Sequence, residues 1–220
     1  LANVSQTLVV NALQPELVAR TASHGRRVLF GDARGWHVVR DVVFRAQQRV
    51  CEFADLPLPG RHNALNVCAA AAAIEAAGED WQLALRALRT FRPLPHRLQA
   101  LGERGGVDWV DDSIATTPLA TLEALATVRG RAVTLLVGGH DRGLDWRSFA
   151  DAMRQEPPHA IVTMGANGAR IAELLRARQG AYRLVSAGTL ADAVATARDI
   201  TPRGGAILLS PGAPSFDQFR

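Results

Sequence analysis

The chain has no lysine, and all 25 of its basic residues are arginine. A Walker-type phosphate loop, a Schiff-base enzyme and a pyridoxal enzyme each need a lysine amine, so none of them can be completed within these 220 residues. A GC-rich genome favouring arginine and alanine codons would account for most of the bias. Cysteine is scarce as well. Cys51 and Cys68 lie far apart with no CxxC spacing, which excludes a disulfide framework and a structural zinc site and leaves reduced, structural thiols. Aromatic residues make up only 5%, and the net charge of +4 is unclustered, so a nucleic-acid surface is not expected. No apolar run approaches the ~20 residues of a membrane span. The longest, Val67 to Ile74, is mostly alanine. These absences predict a cytoplasmic protein with a small-molecule partner and no membrane insertion. A monomer with no metal held by its own residues is the accompanying expectation. Leu1 to Val10 carries neither a basic segment nor a Met, and Ser215 to Arg220 reads as the first turn of a helix. Both ends are therefore expected to be cuts in a longer protein.

With 48% hydrophobic and 21% charged residues, there is enough apolar material for two modest domains. Short strand-like runs come first: Leu8 to Asn11, Arg27 to Phe30, and Trp36 to Phe44 after a turn at Gly31 to Gly35. They read as the edge of a sheet. From Arg61 the pattern becomes helical and alanine-rich up to Ala77, breaks at Gly78, and resumes from Asp80 to Thr90. Such small side chains predict close packing on a neighbour. Arg92-Pro93-Leu94-Pro95 interrupts any helix and places a domain boundary there, giving domains 1–91 and 92–220.

Beyond that boundary, Arg97 to Glu103 and Val107 to Asp111 read as a hairpin across Gly105-Gly106, followed by a helix from Pro118 to Thr127. Apolar runs at 132–137, 160–164, 182–185 and 206–209 then alternate with helical segments at 146–154, 169–178 and 190–199. Continuous apolar strands joined by helices predict an α/β fold with a mainly parallel sheet and right-handed crossovers.

Ligands of open parallel sheets bind beyond the carboxyl ends of the strands. Three loops there stand out. Asp111-Asp112-Ser113-Ile114-Ala115-Thr116-Thr117-Pro118 offers Thr117 as an N-cap and Pro118 as the first helical residue, a helix N-terminus suited to an anion. Gly138-Gly139-His140-Asp141-Arg142-Gly143 presents a guanidinium able to hold a carboxylate bidentately. Ser210 to Gln218 carries Ser215 and Gln218 at capping-box spacing. Each alone reads as an ordinary capped turn; together they suit a dicarboxylate. Upstream, Asn63 and Asn66 share a helix face and could read a purine edge, or one could cap the helix while the other is solvated. Asp111 and Asp112 could ligate magnesium or receive ribose hydroxyls, or simply form a solvated turn. Gly165-Ala166-Asn167-Gly168 lacks the full dinucleotide pattern and is set aside. Nothing in the sequence pairs His62 or His96 with a nucleophile, and both read as structural.

Taken in order, Gly60-Arg61-His62-Asn63-Ala64-Leu65-Asn66, Leu94-Pro95-His96-Arg97, Asp112-Ser113-x-Ala115-Thr116, Gly138-Gly139 and Ser215-Phe216-Asp217-Gln218-Phe219 resemble the Mur ligases of peptidoglycan synthesis. The resemblance covers nearly the whole chain. It implies the tail of a P-loop-type central ATPase domain, then a Rossmann-like C-terminal domain, with the main catalytic groups outside this chain. It also implies an ATP- and Mg2+-dependent ligase that forms an acyl phosphate for attack by an amino acid. The SFDQF element is similar to that of the member adding glutamate to UDP-N-acetylmuramoyl-L-alanine. The resemblance then implies adenine contacts by Asn63 and Asn66, a nucleotide contact by Arg97 and a ribose contact by Asp112. Thr116, Arg142, Ser215 and Phe216 would hold glutamate, with His62, His96 and Ser113 in support. Ile114 and Thr117 depart from the usual glutamate-site pattern, which has lysine and asparagine there, and a second usual lysine near Arg142 is missing. Ser-Ile-Ala-Thr-Thr-Pro and Gly-His-Asp-Arg-Gly-Leu-Asp-Trp resemble instead the variant that adds L-glutamate. A D-glutamate-adding ligase, a folate-polyglutamylating ligase and a non-catalytic module binding an acidic metabolite are the competing expectations.

Overall fold

Ala64, Cys68, Ala71 and Ala72 recur at helical spacing, and all four are buried. They form the inner face of α2 (Arg61–Ala76), which packs on strands β1 (Leu8–Asn11), β2 (Arg27–Phe30) and β3 (Trp36–Val39). The computed structural model describes residues 7–214, which fall into two compact units parting between Pro93 and Leu94. In the first unit, β4 (Val42–Arg45) and β5 (Gln48–Glu52) complete a five-stranded sheet in chain order. β1, β2 and β3 pair in parallel, and the last three strands pair antiparallel. A short helix α1 (Pro15–Arg20) follows β1, and α3 (Trp81–Ala87) follows α2, with the Asp80 side chain accepting from the amides of Gln82 and Leu83.

The run from Trp36 to Phe44 is not one strand but a hairpin that turns at Arg40-Asp41, and β5 adds a second tight turn at Ala46-Gln47. Arg40 (φ 51°) and Ala46 (φ 49°) supply the left-handed conformation that such turns need. Neither residue is the Gly, Asn or Asp that marks a hairpin in sequence.

Burial pushes the Cys68 thiol up to about 12, with nearby Cys51 adding to the effect, so the thiol stays protonated and packs as a small apolar group. At the far end of α2, Glu75 accepts from Trp36 Nε1 (2.8 Å) and from Arg45 Nε (2.9 Å). Arg45 also lies 5.7 Å over the Trp81 ring. The Arg45 hydrogen bond holds the Glu75 carboxyl below its ordinary 4.5, outweighing partial burial. A carboxylate with a lowered folded value stabilises the fold above its unfolded value and loses that contribution as pH falls through the folded value. Glu75→Gln should therefore melt below wild type at pH 7, and the gap should close as pH drops below 4.5. A gap that persists unchanged at pH 3 would show that charge is not what Glu75 contributes.

The second unit is the α/β fold expected. β6 (Gln99–Arg104) and β7 (Val107–Asp111) form an antiparallel hairpin, and β8 (Val133–Val137), β9 (Ala160–Thr163), β10 (Arg183–Ser186) and β11 (Ala206–Leu209) extend it. The strand order is β10-β9-β8-β11-β7-β6, parallel everywhere except at β6. Helices α4 (Pro118–Thr127), α5 (Arg147–Gln155) and α6 (Gly168–Arg178) pack on one face, and α7 (Leu190–Ile200) packs on the other. Alternation along β8 divides the core accordingly. Val133, Leu135 and Val137 meet Phe149, Met153, Ile171 and Leu175, whereas Leu136 meets Ala193, Ala197 and Ile207. Burying each large side chain of this kind stabilises the unit by roughly 1.5–3 kcal/mol. α4 begins as its sequence dictates, with Thr117 Oγ1 accepting from Ala120 N–H and Pro118 at the first helical position.

Candidate active-site crevice

Because β7, β11, β8 and β9 run in parallel, their carboxyl ends deliver four loops to one edge of the sheet. Backbone hydrogen bonds sew these loops together. Gly138 N–H donates to Pro211 O (2.8 Å), His140 N–H to Pro214 O (2.8 Å), and Asn167 N–H to Gly139 O (3.1 Å). The Asn167 side chain returns the contact by accepting from Gly139 N–H at 2.9 Å in a buried position. Glycine is required in this seam: a Cβ on Gly138, whose φ is +110°, would lie 2.1 Å from Met164 O.

The second stitch is Asp112, only 6% exposed. Its Oδ2 accepts from Ser210 Oγ (2.8 Å) and its Oδ1 from Leu98 N–H (3.2 Å), while Thr121 Oγ1 donates to Ser210 O (3.1 Å). One carboxylate thus ties the end of β7 to the loop after β11 and to the segment carrying His96 and Arg97. Asp111 adds a parallel tie, since His96 Nδ1 lies 2.7 Å from its Oδ2 and Ser113 N–H donates to its Oδ1 (2.9 Å). Burial raises the Asp111 carboxyl, but the bonds from His96 and Ser113 win and leave it below its ordinary value. His96 O accepts from Ile114 N–H (3.3 Å), and His96 and Leu98 both hold positive φ. Between them, Arg97 has a buried Nε with no hydrogen-bond partner among the described residues. A buried, unpartnered guanidinium donor costs free energy until an acceptor arrives, which suits an oxyanion.

Thr116 is exposed just ahead of the α4 cap, and Arg142 is exposed on the loop after β8. The structure therefore brings His96, Arg97, Asp112, Ser113, Thr116 and Arg142 to one end of the second unit's sheet. Ser215 and Phe216, expected at the same edge, lie outside the described residues. In the first unit, His62, Asn63 and Asn66 sit on the first turns of α2. Asn63 is buried and donates to Pro59 O (2.7 Å), whereas Asn66 is exposed and its Nδ2 reaches Asn63 Oδ1 at 3.4 Å. The pair shares a face, with Gly60 and not an asparagine at the N-cap. Asn167, Ser210 and Thr121 were not singled out as site residues from sequence. Asn167 falls in a segment that lacks the full dinucleotide pattern, Ser210 only opens the loop after the last strand, and Thr121 carries no local signature.

Residues 96–213, more than half of the chain, match the family described as Mur ligase, glutamate ligase domain. The chain belongs to the Mur ligase family. A relative from Xanthomonas oryzae named UDP-N-acetylmuramoyl-L-alanine--L-glutamate ligase is 48% identical over 215 residues, covering 96% of this chain and 46% of that protein. This Mur ligase chain thus spans about half the length of the curated relatives it matches. Among solved structures, MurF from Acinetobacter baumannii is similar with a TM-score of 0.70 at 18% identity, over 96% of this chain and 49% of that one. Bifunctional folylpolyglutamate synthase/dihydrofolate synthase from Yersinia pestis is similar with a TM-score of 0.71 at 16% identity, over 95% and 50%. At such identities the structural likeness establishes a shared fold, and the sequence match establishes the family. No helix among the described residues is long and apolar enough to cross a membrane.

Proposed function

We propose that the full-length protein joins L-glutamate to UDP-N-acetylmuramoyl-L-alanine at the expense of ATP, in the cytoplasmic synthesis of peptidoglycan precursors. The observation carrying this reading is the 48% identity, across 96% of the chain, to a relative named for that reaction. The alanine carboxylate takes the γ-phosphoryl group of ATP. The glutamate amine then attacks the acyl phosphate, loses a proton, and the tetrahedral intermediate collapses with release of inorganic phosphate. Asn63 and Asn66 are assigned to adenine, Arg97 to the nucleotide through its orphaned Nε, and Asp112 to the ribose. Thr116 and Arg142, with Ser215 and Phe216, are assigned to glutamate. His62, His96 and Ser113 support these contacts, and the protein acts as a monomer.

The crevice supports a dicarboxylate ligand because it combines the N-terminus of α4 with the exposed guanidinium of Arg142, which has no ion pair among the described residues. Ile114 and Thr117 replace the usual lysine and asparagine of the glutamate site, which favours L- over D-glutamate. Inverting the α-carbon with both carboxylates anchored moves the amine, so the charged anchors must be redistributed. The Mg2+ that accompanies ATP would neutralise phosphate charge during phosphoryl transfer, and among the described residues no group of three or more His, Cys, Asp or Glu side chains could hold it.

The decisive assay follows ADP release by the full-length protein with UDP-N-acetylmuramoyl-L-alanine, ATP and either glutamate enantiomer. Release with L-glutamate alone is expected. Release with D-glutamate alone reverses the stereochemical assignment, and release with neither removes the ligase reading in favour of a non-catalytic module. The lysine-free 220-residue chain should hydrolyse no ATP by itself.

A further inference from the structure

Arg170 lies on the first turn of α6 and reaches the loop after β8. Its Nη2 donates to Asp141 Oδ1 at 2.7 Å, its Nε to Asp141 Oδ2 at 3.1 Å, and its Nη1 to Leu144 O at 3.2 Å. Asp141 Oδ1 also accepts from Gly143 N–H at 2.9 Å. That bond closes a tight turn with Arg142 at its apex, and Gly143 (φ +70°) supplies the left-handed conformation that completes it. Arg142 is exposed and has no hydrogen bond or ion pair among the described residues. The next carboxylate along the loop, Asp145, is taken by Arg147 at 2.8 Å.

We infer that Arg170 is a positioning residue for the acidic amino-acid substrate: by gripping Asp141 bidentately it fixes the turn and keeps that carboxylate from pairing with Arg142. The inference rests on the reading of Arg142 as a glutamate anchor. Asp141, Arg142 and Arg170 together carry one net positive charge. Deleting Arg170 leaves none, and it frees a carboxylate beside the guanidinium assigned to the substrate. That carboxylate can fold onto Arg142 as an internal competitor, and it repels an incoming dicarboxylate. The local charge is therefore what Arg170 protects, and removing Asp141 as well restores it. A lysine at 170 would retain the charge but not the planar fork that occupies both oxygens.

Steady-state kinetics of the full-length enzyme test this. Arg170→Gln should raise the glutamate KM about tenfold, with the KM for ATP changed less than about twofold, as for loss of one charge-assisted contact acting through a neighbour. The double variant Asp141→Asn/Arg170→Gln should recover a glutamate KM within about threefold of wild type, a non-additivity expected of coupled groups. Arg170→Lys should fall between Arg170→Gln and wild type. An Arg170→Gln enzyme with unchanged glutamate KM overturns the inference. So does a fall in kcat with a rise in every KM together that Asp141→Asn does not rescue, because that marks a general structural role. If the wild-type enzyme releases no ADP in response to glutamate, the functional reading falls and takes the inference with it. If the wild type is active and the variant is indistinguishable from it, the inference falls alone.

Discussion

Gly138→Ala should destabilise the second unit by about 2 to 5 kcal/mol, lowering its melting temperature by roughly 8 to 20 °C. Two separate penalties contribute. A φ of +110° is one that an L side chain rarely adopts, and leaving the left-handed region would pull apart the bonds from Gly138 N–H to Pro211 O and from Gly139 N–H to Asn167 Oδ1. The added Cβ would also sit 2.1 Å from Met164 O, a backbone atom in the loop after β9 that cannot swing away as a side chain could. Gly143→Ala is the matched control. It too has positive φ, but nothing lies within 4 Å of its Cβ, so only the conformational penalty of about 1 to 2 kcal/mol applies. Melting curves of the two variants separate strain from collision. If they melt together, the close approach of the loops after β8 and β9 is not what demands glycine at 138.

That contrast shows where sequence reading reaches its limit. Gly138 and Gly143 look alike in a glycine-rich turn, and both fit a loop that presents Arg142. The collision that makes the first indispensable depends on Met164, which becomes a neighbour only through the pairing of β8 with β9. By contrast, the alternation of apolar runs and helices from Val133 onward was legible because it is periodic and local. So was the start of α4, where Thr117 and Pro118 act on their own helix. The hairpins of the first unit have no signature in the sequence because Arg40 and Ala46 carry the positive φ that Gly, Asn or Asp usually signals. For the same reason the loops holding Asp112 and Arg142 could be named from sequence, but their fastenings could not. Asp112 meets Ser210 across the sheet, and Asp141 meets Arg170 across a whole βα unit. No periodicity or short motif encodes a contact of that span.

Asp112→Ala should cost about 2 to 4 kcal/mol, because it strips acceptors from at least two donors at a buried site, Leu98 N–H and Ser210 Oγ. Asp112→Asn should cost about 1 kcal/mol or less, since the amide oxygen can still accept from Leu98 N–H while the Ser210 hydroxyl rotates to accept from the new NH2 group. The pair matters for function because Leu98 adjoins Arg97. Losing the Leu98 anchor in Asp112→Ala displaces the Arg97 segment along with the carboxylate, so weaker ATP binding in that variant would not report a ribose contact. Asp112→Asn keeps the Leu98 anchor while removing the charge and reversing the Ser210 bond. With its melting temperature near wild type, a several-fold rise in ATP KM assigns Asp112 a direct place in the nucleotide site. An unchanged ATP KM in Asp112→Asn, beside a marked one in Asp112→Ala, would make the carboxylate a fastener that positions Arg97 and remove it from the ribose.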